Sequence, residues 1–436
     1  MTAELRTIKT PAEQALHEAY ADARAKLPGK GALAKLREDA FRRFNATGLP
    51  HRRIEEWKYT DLRALMRDAK PLAGAPDAAA KALAREPDKA LAGINCRRLV
   101  FVDGTFVPEL SDLSPEAGIA IGSMAAALAN GDVLVAAHVG KTVETDDSAV
   151  ALNTALMGDG AVIRIAGGTR VERPILLDFI SAPQPSSVFQ RSLIVVEKGA
   201  RAFVIENHRA SKSQTNAALE LVVGEGAEID YVKIAREQSL HIGTLMASVG
   251  TQATFNTFHF TLGGTAVRNQ SFVRFNGEGT VAGIRGAALL RAKEHADNTL
   301  LIDHAAGACE SREQFRSVLD GESRGVFQGK IIVRPHAQKT DAKMSSNALL
   351  ISDDAEADNK PELEIFADDV QCGHGATAGA LDEHLKFYLK ARGIPEKEAE
   401  ALLIQAFVGE VIETVSHEAL RNAMLDMAAE WLKERG

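Results

Sequence analysis

The chain contains 436 residues, of which 45% are hydrophobic and 5% aromatic, and its formal net charge is −8. This acidic balance argues against a general nucleic-acid-binding protein, which needs a basic surface. No run of about 18 apolar residues occurs, so we expect no membrane-spanning helix. Three widely separated cysteines favour a reducing compartment over a disulfide framework. We therefore expect a cytoplasmic protein with neither membrane nor nucleic-acid partners.

Residues 1–148 are predicted to form a mainly helical N-terminal region. Ala12–Lys26 and Ala32–Phe44 carry apolar residues at the spacing of amphipathic helices. Farther along, Trp57 belongs to a pair of aromatic residues on a chain that has few. Such a residue is more typical of a packing anchor than of a ligand platform.

Residues 149–374 are predicted to form a β-helix core. Short alternating segments recur behind Gly-Ala or Gly-Thr turns, whose glycines lie 24 to 31 residues apart: Gly168, Gly199, Gly226, Gly250 and Gly279. A period of about 20–50 residues is typical of repeat architectures. Units of strands without helices favour a β-solenoid with about two short strands per period. A β-sandwich is the competing interpretation.

Residues 375–436 are predicted to be helical again. The second helix of this region carries an apolar stripe, which includes Leu402, Leu403, Phe407 and Val411. Amphipathic helices attached to a solenoid can cap it, or they can offer a surface to a partner. The residues by themselves leave both alternatives open.

Cys372 and His374 form the most informative motif of the chain, a Cys-x-His pair between glycines. In an extended strand the two side chains share one face, because side chains alternate with period two. A thiolate and an imidazole together suit iron, zinc or copper. Two ligands do not complete a tetrahedral site, so further ligands would have to come from elsewhere. The alternative is a buried thiol beside a hydrogen-bonded histidine.

No motif of a known catalytic class accompanies this pair. The segments 139–142 and 328–331 resemble part of a Walker A loop but lack its leading glycine. We find no His-Glu-x-x-His and no Cys-x-x-Cys. The residues alone therefore indicate a solenoid scaffold. The alternative is a β-helix enzyme acting on polysaccharide or as an acyltransferase.

Four stretches resemble the SufB/SufD family of SUF-system iron–sulfur cluster assembly proteins, and its SufD branch most closely. They are EEWKYTDL (55–62), SREQFRSVLDGESRGVFQGKIIV (311–333), QKTDAKMSSNALLISDDAEADNKPELEIFADDVQCGHGAT (338–377) and LDEHLKFYLKARGI (381–394). The resemblance implies a right-handed parallel β-helix between two helical regions. It also implies a non-catalytic scaffold subunit that assembles with a SufB-like paralogue and a SufC-like ABC ATPase to build and transfer nascent clusters.

The resemblance also assigns expected roles to individual residues. His374 is the candidate cluster ligand at the interface with the paralogue, and Cys372 is a weaker one. Ser345–Asn347 matches a segment in which the paralogue carries a cysteine. The stripe around Phe407 becomes the candidate ATPase-docking surface. No cofactor is expected to bind the isolated chain tightly, since the Fe–S cluster would be transient in the complex. Exposed β-helix edges also favour a homodimer of the isolated chain.

Overall fold

The computed structural model describes residues 9–209, 212–236 and 238–434. Residues 1–8 and 435–436, which belong to the two predicted helical regions, lie outside the described part of the chain. The first helix begins at Pro11, because Thr10 and Glu13 form a reciprocal capping box. The helices are α1 (Pro11–Ala23), α2 (Ala32–Thr47), α3 (Leu62–Leu65), α4 (Ala78–Leu83), α5 (Met124–Asn130), α6 (Val133–His138), α7 (Ser148–Leu156), α8 (Glu383–Lys390), α9 (Glu396–Ile412) and α10 (Glu418–Lys433).

Short strands fill the middle of the chain and face one another across a common interior. In chain order they are β1 (Arg97–Val102), β2 (Thr105–Phe106), β3 (Ile119–Ser123), β4 (Ala161–Ile165), β5 (Ile175–Ile180), β6 (Ser187–Val196), β7 (Arg201–Arg209), β8 (Gln214–Val223), β9 (Glu228–Ala235), β10 (Leu240–Val249), β11 (Thr254–Leu262), β12 (Ala266–Phe275), β13 (Val281–Leu290), β14 (His295–His304), β15 (Glu310–Leu319), β16 (Arg324–Val333), β17 (Asp341–Leu350), β18 (Glu356–Ile365) and β19 (Gln371–Gly379).

From β4 onward, successive strands alternate between two sheets. The nine-stranded sheet has the order β18-β16-β14-β12-β10-β8-β6-β4-β3, and the ten-stranded sheet has the order β19-β17-β15-β13-β11-β9-β7-β5-β1-β2. Paired strands are parallel except for β1 with β2 and β3 with β4. Each coil thus contributes one strand to each sheet. This confirms the predicted parallel β-solenoid with two strands per period and rules out the β-sandwich.

In seven coils, one turn holds a residue with positive φ on the way into a strand of the ten-stranded sheet. Glycine takes this place in four coils, with φ of 62° to 70°, at Gly168, Gly199, Gly226 and Gly279. Other residues take it in three coils, with φ of 52° to 61°, at Gln252, Ala308 and Lys339. Gly250 lies in the same kind of turn but not at this place. There a Cβ would lie 3.0 Å from the carbonyl oxygen of Val223.

The residue that follows this turn position is small and almost always buried. The buried residues at this position are Ala200, Ala227, Ala253, Thr280, Cys309 and Thr340. Cys309 is therefore a packing residue of the turn, and its thiol donates a hydrogen bond to the Gly277 carbonyl oxygen at 3.3 Å. This is the ordinary role of a buried cysteine.

Apolar side chains fill the interior, and the helices cover both outer faces of the solenoid. Helices α1, α2 and α7 bury Phe189 and Ile242 on the outer face of the nine-stranded sheet. Helices α9 and α10 bury Ile205, Val232 and Phe258 on the outer face of the ten-stranded sheet. The chain is mainly β, with helices at both ends, as predicted. The interval 149–374 predicted for the core contains β4–β18 and the first four residues of β19, while β1–β3 precede it.

Trp57 anchors the N-terminal region to the solenoid and is only 1% exposed. Its indole N–H donates to Asp147 at 2.8 Å, and the Arg268 guanidinium lies 3.9 Å from its ring. Arg268 also forms a buried ion pair with Asp297 on the next strand. Glu55, the first residue of the helical turn that ends at Trp57, pairs with Lys360 of β18. The predicted packing anchor is thus confirmed, and its segment reaches the last strand of the nine-stranded sheet.

Candidate metal site at the open end of the solenoid

The C-terminal end of the solenoid is open. Among the strands of the described residues, β18 pairs only with β16, and β19 pairs only with β17. No residue of either strand is fully buried, whereas β17 still buries five of its ten residues. An unpaired edge leaves a row of backbone N–H and C=O groups free for another strand. Two such edges therefore lie side by side at this end.

Cys372 and His374 lie on β19, the edge strand of the ten-stranded sheet. Cys372 is opposite Ala342 of β17, and His374 is opposite Met344. Ala342 and Met344 both belong to the interior core, so the two residues of the motif face inward. Cys372 is half-buried against that core, and His374 is exposed. The structure thus brings the two predicted ligands to one face of one strand.

The thiol of Cys372 is held in its protonated form. Burial raises its pKa, and the negative charges of Asp341 and Glu313 raise it further, while a hydrogen bond to the Ala342 backbone opposes them. Metals bind the thiolate, so a bound cation would have to displace this proton. Metal binding at this site should therefore weaken at acidic pH.

The ligand set of this chain is incomplete. Across residues 9–209, 212–236 and 238–434, no three His, Cys, Asp or Glu side chains converge as a metal site would require. The acidic residues of neighbouring β18 are engaged on its outer face, where Asp358 pairs with Arg324 at 2.6 Å and Glu364 pairs with Lys330 at 2.5 Å. A complete site needs ligands from outside this strand.

Ser345–Asn347, on the adjacent strand β17, offers hydroxyl and amide groups only. The Ser346 hydroxyl points inward and donates to Asn359 of β18 at 2.6 Å. The Asn347 amide donates to the Thr377 hydroxyl at 2.8 Å. This segment therefore supports the end of the solenoid by linking its last three strands.

The predicted docking residues of α9 lie on different faces. Leu402 is 42% exposed and Val411 only 3%. Leu403 and Phe407 are half-buried, and the Arg316 guanidinium of β15 lies 4.7 Å from the Phe407 ring. Only the first of the four residues offers an open apolar surface in this structure.

Sequence reasoning missed the apolar surface of α8. Its residues Leu385, Phe387 and Tyr388 are 51%, 73% and 52% exposed. A signal was present, since large apolar residues in a short helix rich in charged residues are unusual unless one face is covered. In the part of the chain that the structure describes, no helix is both long and apolar enough to cross a membrane.

Two family models match almost the whole chain. The model of the SufBD protein N-terminal region matches residues 10–177. The model of the SUF system FeS cluster assembly SufBD core domain matches residues 179–407. The second match contains the solenoid strands from β6 to β19, and therefore the open end with its Cys-x-His pair.

Relatives with curated names agree with these matches. SufD of Escherichia coli, an iron–sulfur cluster assembly protein, is 31% identical over 388 residues, which cover 87% of this chain and 88% of the relative. A SufBD family protein of Synechocystis is 30% identical over 412 residues, covering 90% and 89%. SufD of Bacillus subtilis is 24% identical over 388 residues, covering 86% and 87%.

These similarities favour an assembly protein over the alternative of an enzyme acting on polysaccharide or as an acyltransferase. The parallel solenoid, its covering helices and the matched residues all agree. The chain belongs to the SufB/SufD family of SUF-system iron–sulfur cluster assembly proteins.

Proposed function

We propose that this chain is a non-catalytic scaffold subunit of a SUF-type complex in the cytoplasm. Its partners would be a SufB-like paralogue and a SufC-like ABC ATPase. The complex would build nascent Fe–S clusters as its cargo and pass them to other proteins. One observation carries the proposal: an incomplete ligand pair, Cys372 and His374, sits on an edge strand that pairs on one side only.

A second solenoid at the open end would satisfy two needs at once. Strand pairing would cover the free backbone groups of β18 and β19, which otherwise favour aggregation. It would also bring ligands from another chain to Cys372 and His374. A SufB-like paralogue would supply the thiol that Ser345–Asn347 lacks. In its absence a second copy of this chain would cover the same edges, giving a homodimer.

The ATPase would dock on the C-terminal helices. Leu385, Phe387 and Tyr388 of α8 and Leu402 of α9 leave large apolar side chains exposed. Interface cores are enriched in such residues. Nucleotide hydrolysis would belong to the partner, because this chain lacks the glycine-rich loop that binds phosphates.

Co-purification with the two partners tests this function. The chain is expressed with its SufB-like and SufC-like partners as wild type, His374→Ala and His336→Ala, and stoichiometry, iron and sulfide are measured. His336 is an exposed histidine in the turn between β16 and β17 and serves as the matched control. We expect His374→Ala to assemble normally but to lose most of its iron and sulfide, and His336→Ala to retain both.

Cys372→Ala and Cys96→Ala form a second matched pair, since both thiols are half-buried and burial raises the pKa of both. A smaller loss of iron is expected for Cys372→Ala and none for Cys96→Ala. Equal iron in wild type and His374→Ala would refute the ligand role. Failure of the wild-type chain to bind either partner would refute the scaffold function itself.

A further inference from the structure

Glu313 is a buried carboxyl group without a hydrogen-bond partner. It lies on β15, is 0% exposed, and neither of its carboxyl oxygens has a partner among the described residues. Its neighbours in adjacent strands are Ile284 of β13 and Met344 of β17. Both belong to the apolar interior, so the Glu313 side chain faces inward. An uncompensated carboxylate in such surroundings is strongly unfavourable.

The strand register aligns Glu313 with the candidate metal site. Glu313 is opposite Met344, and Met344 is opposite His374. Neighbouring strands are about 4.8 Å apart, so the backbones of Glu313 and His374 are about 10 Å apart. The Met344 sulfur reaches across the interior, because a Cβ at Gly329 of the opposite sheet would overlap it. One flexible thioether side chain therefore separates the carboxyl from the open end.

The charge of Glu313 reaches the site across this distance. The register places the backbone of Glu313 about 10 Å from that of His374, on the same inward face. Burial raises the pKa of Glu313 itself to about 7, and the charges of Arg312 and Arg285 oppose this rise only in part. A negative charge at this distance, in the apolar interior, favours a dication bound at Cys372 and His374.

A purely structural explanation of Glu313 is weak. Glutamine has nearly the same shape without the charge, and leucine or isoleucine would match its neighbours Ile284 and Met344. Buried polar groups without partners are rare in native proteins, and those that persist often serve a function.

We infer that Glu313 is a positioning residue of the metal site, an interior carboxylate that stabilises a divalent cation such as Fe²⁺ held at Cys372 and His374. The inference rests on the proposed function, because it requires these two ligands. When the cation binds, the Cys372 thiol and the protonated fraction of Glu313 release their protons to solvent, and no electron is transferred. Water completes the coordination until a partner chain supplies its ligands.

Co²⁺ is the probe for this inference, since its thiolate complexes absorb strongly in the near ultraviolet. It is titrated into the purified, reduced full-length chain at neutral pH. The variants are Glu313→Gln, the matched control Glu310→Gln and Cys372→Ala. Glu310 lies on the same strand, but it is partly exposed and pairs with Arg312. We expect Glu313→Gln to weaken Co²⁺ binding by about tenfold or more, and Glu310→Gln to bind like wild type.

Proton release separates an electrostatic role from a structural one. Wild type should release more protons per bound Co²⁺ than Glu313→Gln, measured with an indicator dye in weak buffer. The thiolate absorption band should keep its wavelength in the variant, because the ligands are unchanged. If Glu313 had only a structural role and Glu313→Gln folded normally, the variant would match wild type in the number of protons released per bound Co²⁺ and in its affinity for Co²⁺.

Two results would overturn the inference, and they can be told apart. Equal affinity and proton release in wild type and Glu313→Gln would exclude the role of Glu313 and leave the Cys372 and His374 ligands intact. The absence of a thiolate band in wild type, with Cys372→Ala indistinguishable from it, would exclude both the inference and a metal site on this chain.

Discussion

Glu313 carries an ionisable group into the apolar interior of the solenoid, where burial raises its pKa from 4.5 to about 7. The folded state therefore holds this proton more tightly than the unfolded state does. Stability from the protonated form is fully present below about pH 4.5 and is lost as the pH rises through about 7. The shift corresponds to about 3 kcal/mol of unfolding free energy.

Glu313→Gln should remove this pH dependence, because glutamine does not titrate. Relative to wild type, its unfolding free energy should rise by about 3 kcal/mol between pH 4.5 and a pH above 7. Urea unfolding at a series of pH values measures this difference. The buried histidines His259 and His304, whose pKa values burial lowers, contribute to both proteins and cancel. Plots of unfolding free energy against pH that stay parallel for wild type and Glu313→Gln would contradict the prediction. The control Glu310→Gln should follow wild type at every pH.

At the scale of elements, helices α8 and α9 differ in how they pack against the rest of the chain. Helix α9 buries Ile404, Val408 and Ile412 against the solenoid and α10. Helix α8 buries none of its residues and is linked to α9 through ion pairs of Lys386 and Lys390 with Glu396. Helix α9 therefore attaches the C-terminal region to the solenoid, and helix α8 presents an apolar surface.

Phe387→Asp should abolish capture of the SufC-like ATPase and leave the thermal unfolding midpoint unchanged. The side chain is 73% exposed, so the substitution removes little packing from the folded chain. A pull-down with the ATPase, alongside a thermal melt, measures both effects. Leu83→Asp is the control, because Leu83 of α4 is 52% exposed and lies on another helix. Normal capture by Phe387→Asp would mean that the ATPase binds elsewhere.

At the scale of the whole molecule, the solenoid has two different ends. At its beginning, β2 and β3 close the sheets with antiparallel pairs. At its C-terminal end, β18 and β19 remain unpaired on one side. The Gln371 N–H donates at 2.8 Å to the carbonyl oxygen of Thr340, the residue just before the adjacent strand β17. By alternation, the N–H groups of His374 and Ala376 point toward the open edge.

Ala376→Pro should prevent pairing with a second solenoid and leave the fold intact. Proline is tolerated on an edge strand where its missing N–H faces away from the sheet. Size-exclusion chromatography with the SufB-like partner measures assembly, and a thermal melt measures folding. Ala376→Val keeps the N–H and should assemble like wild type. A complex that forms equally well with Ala376→Pro would show that the partner does not pair with this edge.

Periodicity in the sequence was sufficient to predict the solenoid, because most coils repeat the same turn and the same small residue after it. It was not sufficient to locate the turn residue in every coil. Gln252, Ala308 and Lys339 adopt the conformation that the pattern assigns to glycine, since neighbouring coils hold the backbone in place. Likewise, the helical stripe around Phe407 predicted an amphipathic helix, but packing on two sides left only Leu402 of the predicted four exposed.

Local patterns determined the class of fold, the helices at both ends, the Trp57 anchor and the pairing of Cys372 with His374 on one strand face. These features depend on the spacing of residues a few positions apart or on a repeated unit. Both can be recognised along the amino-acid sequence. Only the tertiary structure decided that the pair lies at an open end, and that Glu313 is buried about 10 Å behind it. Those facts depend on the register between coils about 30 residues apart. The spacing of residues within a single strand gives no information about that register.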